Sequence, residues 1–193
     1  MAQPDPFALF DAWFAEAVNA ESNDPNAMTL ATSTPEGAPS ARIVLLKGHD
    51  ARGFVFYTNT LSRKGGELAG NPRAALLLHW KSLQRQVRIE GAVENVTEAD
   101  ADAYFATRPR ISRLGAWASL QSQPLESRAA LERRLAEAGE KYPGEEIPRP
   151  PHWSGYRVLP TRFLFWKAHP HRLHDVTQYD RDGERWVAGT VYP

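Results

Sequence analysis

The chain has 193 residues, 42% hydrophobic and 24% charged, which are ordinary proportions for one globular domain with a substantial core. Its 23 basic residues balance 23 acidic ones, so bulk charge supplies no attraction to nucleic acid or an anionic membrane. Cysteine is absent, which excludes disulfides, thiolate metal centres, iron–sulfur clusters and a thiol nucleophile. No run approaches the ~18 apolar residues of a membrane helix. The N-terminal MAQPDPFALFDAWFAEA lacks a basic leader ahead of an apolar core, so a cytoplasmic protein is expected, without a membrane partner.

In chain order, Asp5 reads as an N-cap with Pro6 in the first turn, and Phe7, Phe10, Phe14 and Val18 recur at helical spacing. Three β-type runs follow at 28–34, 40–47 and 54–58, separated by the turns PEGAP and GHDARG. Ser62 is placed to cap a short helix through Leu68, broken at Asn71-Pro72. Strands at 73–80 and 85–95 are joined by the tight link KSLQ. Thr97 and Asp100 have the form of a capping box opening a helix to about Arg108, where Pro109 biases its predecessor out of helix. An Ala/Leu/Glu/Arg-rich helix is expected at 126–142, then the proline-rich loop PGEEIPRPPHW, and strands at 155–159, 162–167, 176–179 and 185–191. Strands without βαβ alternation predict a mainly β fold with flanking helices, an antiparallel barrel in a single domain over 1–193. No G-x-G-x-x-G, Walker loop or G-x-S-x-G is present, which argues against dinucleotide, P-loop and serine-hydrolase sites.

Five segments could carry chemistry. In RIVLLK, four aliphatics between Arg42 and Lys47 predict a strand buried on both faces with a cation at each end, serving either as plain core or as a ligand platform. In YTNTLSRKGG, the hydroxyl of Thr58 and the cations Arg63 and Lys64 gather at a helix start, a competent phosphate cradle or a solvated turn. In RQVRIE, alternation puts Gln86, Arg88 and Glu90 on one face and Val87 and Ile89 on the other. An amide at Gln86 suits a heteroaromatic edge. In YFATRPRIS, Tyr104 and Arg108 share a helix side with Ser112 just beyond, able to bind a phosphate or to complement a helix dipole. In FWKAHPHRLHD, an extended segment would point Arg172 and His174 the same way and turn Leu173 inward. The three neighbouring histidines match no usual zinc spacing, so no metal is expected.

The ordered series RIVLLK, FYTN…SRKG, RQV, YF..RPR.S..GAW.S.QS and FW….HRLHD closely resembles the pyridoxamine/pyridoxine 5′-phosphate oxidase family over nearly the whole chain. The resemblance implies an FMN-binding split β-barrel forming a homodimer with FMN at the interface, and oxidation of the phosphorylated B6 vitamer to pyridoxal 5′-phosphate with dioxygen as acceptor. It implies FMN contacts from Arg42, Ile43, Val44, Leu45, Leu46, Lys47, Tyr57, Thr58, Arg63, Lys64, Gln86, Gln121, Ser122 and Trp166. Substrate contacts would come from Lys47, Tyr104, Arg108, Ser112, Arg172 and His174, the last two nearest the reacting carbon. Three departures stand out: Val176 follows RLHD where the family usually has Arg, GTVYP replaces the commoner ending, and the family's Arg/Tyr-containing segment before the first helix is expected to be missing. The alternatives are a related flavin oxidase acting on another small aromatic of the phenazine type, a non-catalytic flavin-binding barrel, and a nucleic-acid-binding barrel. Neutral charge makes the last the weakest.

Overall fold

The computed structural model describes residues 5–193; the first four residues of the N-terminal reading lie outside it. Nine strands form one antiparallel sheet: β1 (Ala27–Ser33), β2 (Pro39–Leu45), β3 (Gly48–Asp50), β4 (Gly53–Asn59), β5 (Arg73–Trp80), β6 (Arg85–Asn95), β7 (Trp153–Lys167), β8 (Asp175–Asp182) and β9 (Arg185–Thr190). Their order is β2-β1-β5-β6-β7-β4-β3, with β8 and β9 continuing from β7. Only Leu46 and Lys47 separate β2 from β3, which stand at opposite ends of that order, so the two ends come together and the sheet curls. Helices flank it: α1 (Pro6–Ala20), α2 (Arg63–Gly70), α3 (Glu98–Ala106), α4 (Arg110–Ala118) and α5 (Arg128–Lys141).

The core fills the concave side. Phe10 of α1 is fully buried, with ring centroids 4.8 Å from Phe54 and 6.2 Å from Trp80; Phe7 meets Phe163 at 5.2 Å. Each such aromatic contributes about 1.5–3 kcal/mol by leaving water. Asp5 caps α1 by accepting from the Phe7 N–H (3.0 Å). Val18, at helical spacing with those residues, is nonetheless 53% exposed, and the buried position of that last turn is Ala17. A second cluster of Phe105, Leu114, Ala138, Ile147 and Trp153 lies under α3–α5.

Several local expectations are corrected. The runs 155–159 and 162–167 are one strand, β7. Pro160 sits opposite Gly91 at a register shift, and a Cβ on Gly91 would lie 1.9 Å from the Leu159 carbonyl oxygen. The bulge absorbs the proline that reads in sequence as a break. The GHDARG turn contains β3, paired with β4. Helix α3 stops at Ala106, two residues before Arg108, and α4 was not foreseen because it starts directly after Pro109 with no side-chain cap to mark it. The strand from Arg42 is not buried on both faces: β2 is an edge strand, Ile43 is 64% exposed, and only one neighbour covers it.

Candidate functional site

A cavity of about 850 Å³, within the range of small-molecule sites, opens where β2, β4, α2, α3 and α4 meet. Its lining includes Arg42, Ile43, Val44, Leu45 and Lys47 from the edge strand and its end, Tyr57 and Thr58 from β4, and Arg63 and Lys64 from the start of α2. Tyr104, Arg108 and Ser112 come from the α3–α4 corner, and Gln121 and Ser122 from the segment after α4. Leu46 does not line it: the side chain is buried in the core, its N–H donates to Asn26 O (2.8 Å) and its carbonyl accepts from Asn26 Nδ2 (3.0 Å).

One wall is a cation cradle. Ser62 caps α2 and accepts from the Gly65 N–H (3.4 Å); a Cβ on Gly65 would fall 2.0 Å from the Thr60 carbonyl oxygen, so only glycine lets the helix start that close to the strand end. Lys64 is buried, and its ammonium donates to Thr58 Oγ1 (3.1 Å), Ser62 Oγ (3.2 Å) and Gln121 Oε1 (3.0 Å). Burial, then the nearby Arg42, pushes the Lys64 pKa down, and Glu67 opposes them. Glu67 itself is buried. Desolvation alone would raise its pKa, but hydrogen bonds from Ser40, Thr32, Arg63 and Arg42 outweigh it and hold the carboxyl at about 2.

Another part of the lining is aromatic. Tyr57 stacks on Tyr104 (centroids 4.1 Å, planes 13° apart) and on Trp153 (5.3 Å, 4°), and burial pushes its phenol pKa up. Arg108 is half-buried, its guanidinium 4.8 Å from the Trp153 ring centroid. Its Nη1 is buried with no hydrogen-bond partner among the described residues, and burial pushes its pKa down. Such an orphaned cationic donor in a cavity wall suits an anion. Arg110, two residues on, instead bonds the carbonyls of Tyr142 (2.7 Å), Pro143 (3.2 Å) and Gly144 (3.2 Å). Trp117 Nε1 likewise donates to Pro148 O (2.8 Å). Part of the RPR…GAW motif therefore tethers α4 to the proline-rich loop rather than lining the cavity.

Gln86, Trp166, Arg172 and His174 do not line this cavity. Gln86 of β6 is in register with Trp166 of β7, which faces Val176 of β8, a buried valine. The His174 ring lies 4.5 Å from Trp166, and His174 Nδ1 accepts from the His169 N–H (3.2 Å). With Nδ1 engaged as an acceptor, Nε2 is the ring nitrogen left to donate. The segment is not extended: Pro170–Arg172 form a 3₁₀ turn in which His171 (φ 59°) and Arg172 (φ 64°) are left-handed, and Leu173 is 69% exposed rather than turned inward. Proline at the turn start and the sharp reversal between β7 and β8 impose this. Two consecutive non-glycine residues with positive φ cost of order 1–3 kcal/mol each, and such strain concentrates at functional sites. Ser122 is also left-handed (φ 72°).

Sequence reasoning missed Thr32, Ser40, Glu67 and Trp153. The only prior signal was that Glu67 sits four residues after Arg63. Among the described residues, no helix is long and apolar enough to cross a membrane.

A family profile described as "Pyridoxamine 5′-phosphate oxidase" matches residues 14–142, and one described as "Pyridoxine 5′-phosphate oxidase C-terminal dimerisation region" matches 153–193. A pyridoxine/pyridoxamine 5′-phosphate oxidase of Sphingopyxis alaskensis is 61% identical over 98% of this chain and 88% of its own length. That of Gluconobacter oxydans is 60% identical over 98% and 94%. Among solved structures, PhzG from Burkholderia lata in complex with tetrahydrophenazine-1-carboxylic acid is 35% identical with TM-score 0.93, covering 100% of this chain and 94% of that one. A pyridoxamine 5′-phosphate oxidase-related, FMN binding protein from Nostoc punctiforme, 17% identical with TM-score 0.79 over 99% and 100%, shares the fold.

Proposed function

This chain belongs to the pyridoxamine 5′-phosphate oxidase family of oxidoreductases, and on that premise we propose that it is an FMN-dependent oxidase converting pyridoxamine or pyridoxine 5′-phosphate to pyridoxal 5′-phosphate. The observation that carries this reading is one cavity bearing two sets of cations, Arg42, Arg63 and Lys64, which cluster about Glu67, and Lys47 and Arg108, which do not. Two groups suit two phosphates, one of the cofactor and one of the substrate. Bound FMN supplies hydride acceptance and reoxidation by dioxygen to hydrogen peroxide. Arg42, Arg63, Lys64, Thr58, Gln121 and Ser122 hold its phosphate end, and Ile43, Val44, Leu45 and Tyr57 flank the rest. Lys47, Tyr104, Arg108 and Ser112 hold the substrate phosphate, with Arg108 satisfied only when the anion is present.

Gln86, Trp166, Arg172 and His174 complete the site from the second protomer of a homodimer. Three of the four lie in the segment matching the family's dimerisation region, and none lines its own chain's cavity. Arg172 and His174 then border the pyridine ring, His174 donating from Nε2 and orienting the substrate carbon rather than removing a proton. The likeness to PhzG favours a second reading, an unphosphorylated tricyclic substrate. The deciding assay is aerobic incubation of purified, flavin-quantified protein with pyridoxine 5′-phosphate, pyridoxine and a tetrahydrophenazine carboxylate, following oxygen uptake and aldehyde. Turnover of the phosphorylated substrate alone is expected; turnover of only the tricyclic compound would overturn the assignment.

A further inference from the structure

Glu67 is 5% exposed, and an ionised carboxylate so buried is retained only if its oxygens are matched. They are matched from three elements. Oε2 accepts from Thr32 Oγ1 of β1 (2.5 Å), Ser40 Oγ of β2 (2.6 Å) and Arg42 Nη2 of β2 (3.3 Å). Oε1 accepts from Arg63 Nε of α2 (2.9 Å). Arg42 is held further by the Leu30 carbonyl (3.2 Å) and by the hydroxyls of Thr32 and Ser40, which fixes the plane of its guanidinium. Arg63 gives Glu67 only its Nε, and its two terminal nitrogens have no hydrogen-bond partner among the described residues. Glu67 does not line the cavity, whereas Arg42 and Arg63 do.

We infer that Glu67 is a positioning residue of the phosphate cradle, a buried carboxylate that clamps Arg42 of the edge strand and Arg63 of the helix start to one point and so sets their forks for a phosphate monoester. It does not touch the ligand. Against Arg42, Arg63 and Lys64 it leaves two net positive charges, the complement of a phosphate dianion. Without it, three cations would face one another in the free protein, and both guanidinium groups would regain rotamer freedom that ligand binding must then remove. The inference rests on FMN being the ligand of this cavity.

The test compares FMN with riboflavin, which lacks the phosphate, by flavin fluorescence titration of the apoprotein, wild type against Glu67→Gln and Glu67→Asp. Positioning predicts that Glu67→Gln weakens FMN by about tenfold or more, the order of one lost charge-assisted contact, while riboflavin affinity stays within about twofold. Glu67→Asp, which keeps the charge on a shorter stem, falls between. Unchanged FMN affinity, an equal loss for both flavins, or tighter FMN binding from the added net charge would each overturn the inference. So would failure of both variants to fold by circular dichroism, since the role would then be structural. Wild-type protein that binds no FMN would instead overturn the proposed function itself.

Discussion

Replacing Arg108 by methionine separates the needs of the fold from those of the site. The guanidinium lies 4.8 Å over Trp153 and 5.6 Å from Phe105, and those contacts contribute about 0.5–2 kcal/mol as cation–π attraction. Against that stands a buried Nη1 without a partner among the described residues, a defect costing about 1–3 kcal/mol and more for a charged group. Methionine keeps an unbranched stem on the Trp153 face and removes the desolvated charge, so the free protein should be as stable as wild type or more so. With phosphorylated substrate the balance reverses. Loss of a charge-assisted hydrogen bond of about 1.5–3 kcal/mol raises KM about 10- to 150-fold. Unphosphorylated pyridoxine should show almost no change. Thermal denaturation of the free protein, with steady-state oxygen uptake on both substrates, reads both halves. A marked fall in Tm with KM for the phosphorylated substrate unchanged would show that Arg108 is a packing residue and refute the reasoning.

Three further outcomes are expected. Because Glu67 is held at about 2 against an ordinary value of 4.5, its contribution to stability is complete above about pH 4.5 and lost as pH falls toward 2. The depression corresponds to something on the order of 3 kcal/mol, so urea midpoints should drop over that window in wild type and be flatter in Glu67→Gln; parallel curves would count against it. Gly155→Ala places a Cβ 2.7 Å from Tyr57 Cδ1 and Cε1. It should destabilise by about 1–3 kcal/mol in chemical denaturation and loosen the Tyr57–Tyr104 stack; wild-type stability would argue that the ring has room to move. If the site is shared between protomers, co-expressing Arg108→Met with His174→Ala should restore about a quarter of wild-type activity through heterodimers carrying one intact site. No recovery would place both residue sets in one subunit's site.

Much of the site was legible in the chain because its residues lie in short, strongly marked segments. Ser62, Arg63 and Lys64 follow a strand of evident β pattern, and the cap, the glycines and the cations announce a helix start whatever surrounds it. Alternation in RQVRIE placed Val87 and Ile89 inward and Arg88 outward, as observed, since period two is a property of the strand itself. The order of these segments was also enough to identify the family.

Other features depend on what a segment packs against, which no local pattern encodes. Ile43 reads as core and is exposed because β2 falls at the sheet edge, a matter of strand order. Pro160 reads as a break and is carried through β7 because Gly91 on the neighbouring strand admits a bulge. Arg108 and Arg110 stand two residues apart in RPR, yet the turn between α3 and α4 sends one into the cavity and the other onto backbone carbonyls. Glu67 went unnoticed, since its one local signal is a position four residues after Arg63. Only the docking of α2 against β1 and β2 buried it and brought Thr32, Ser40 and Arg42, up to 35 residues away in sequence, onto one carboxylate. Local chemistry is written in residue spacing, whereas burial and convergence are decided by long-range pairing.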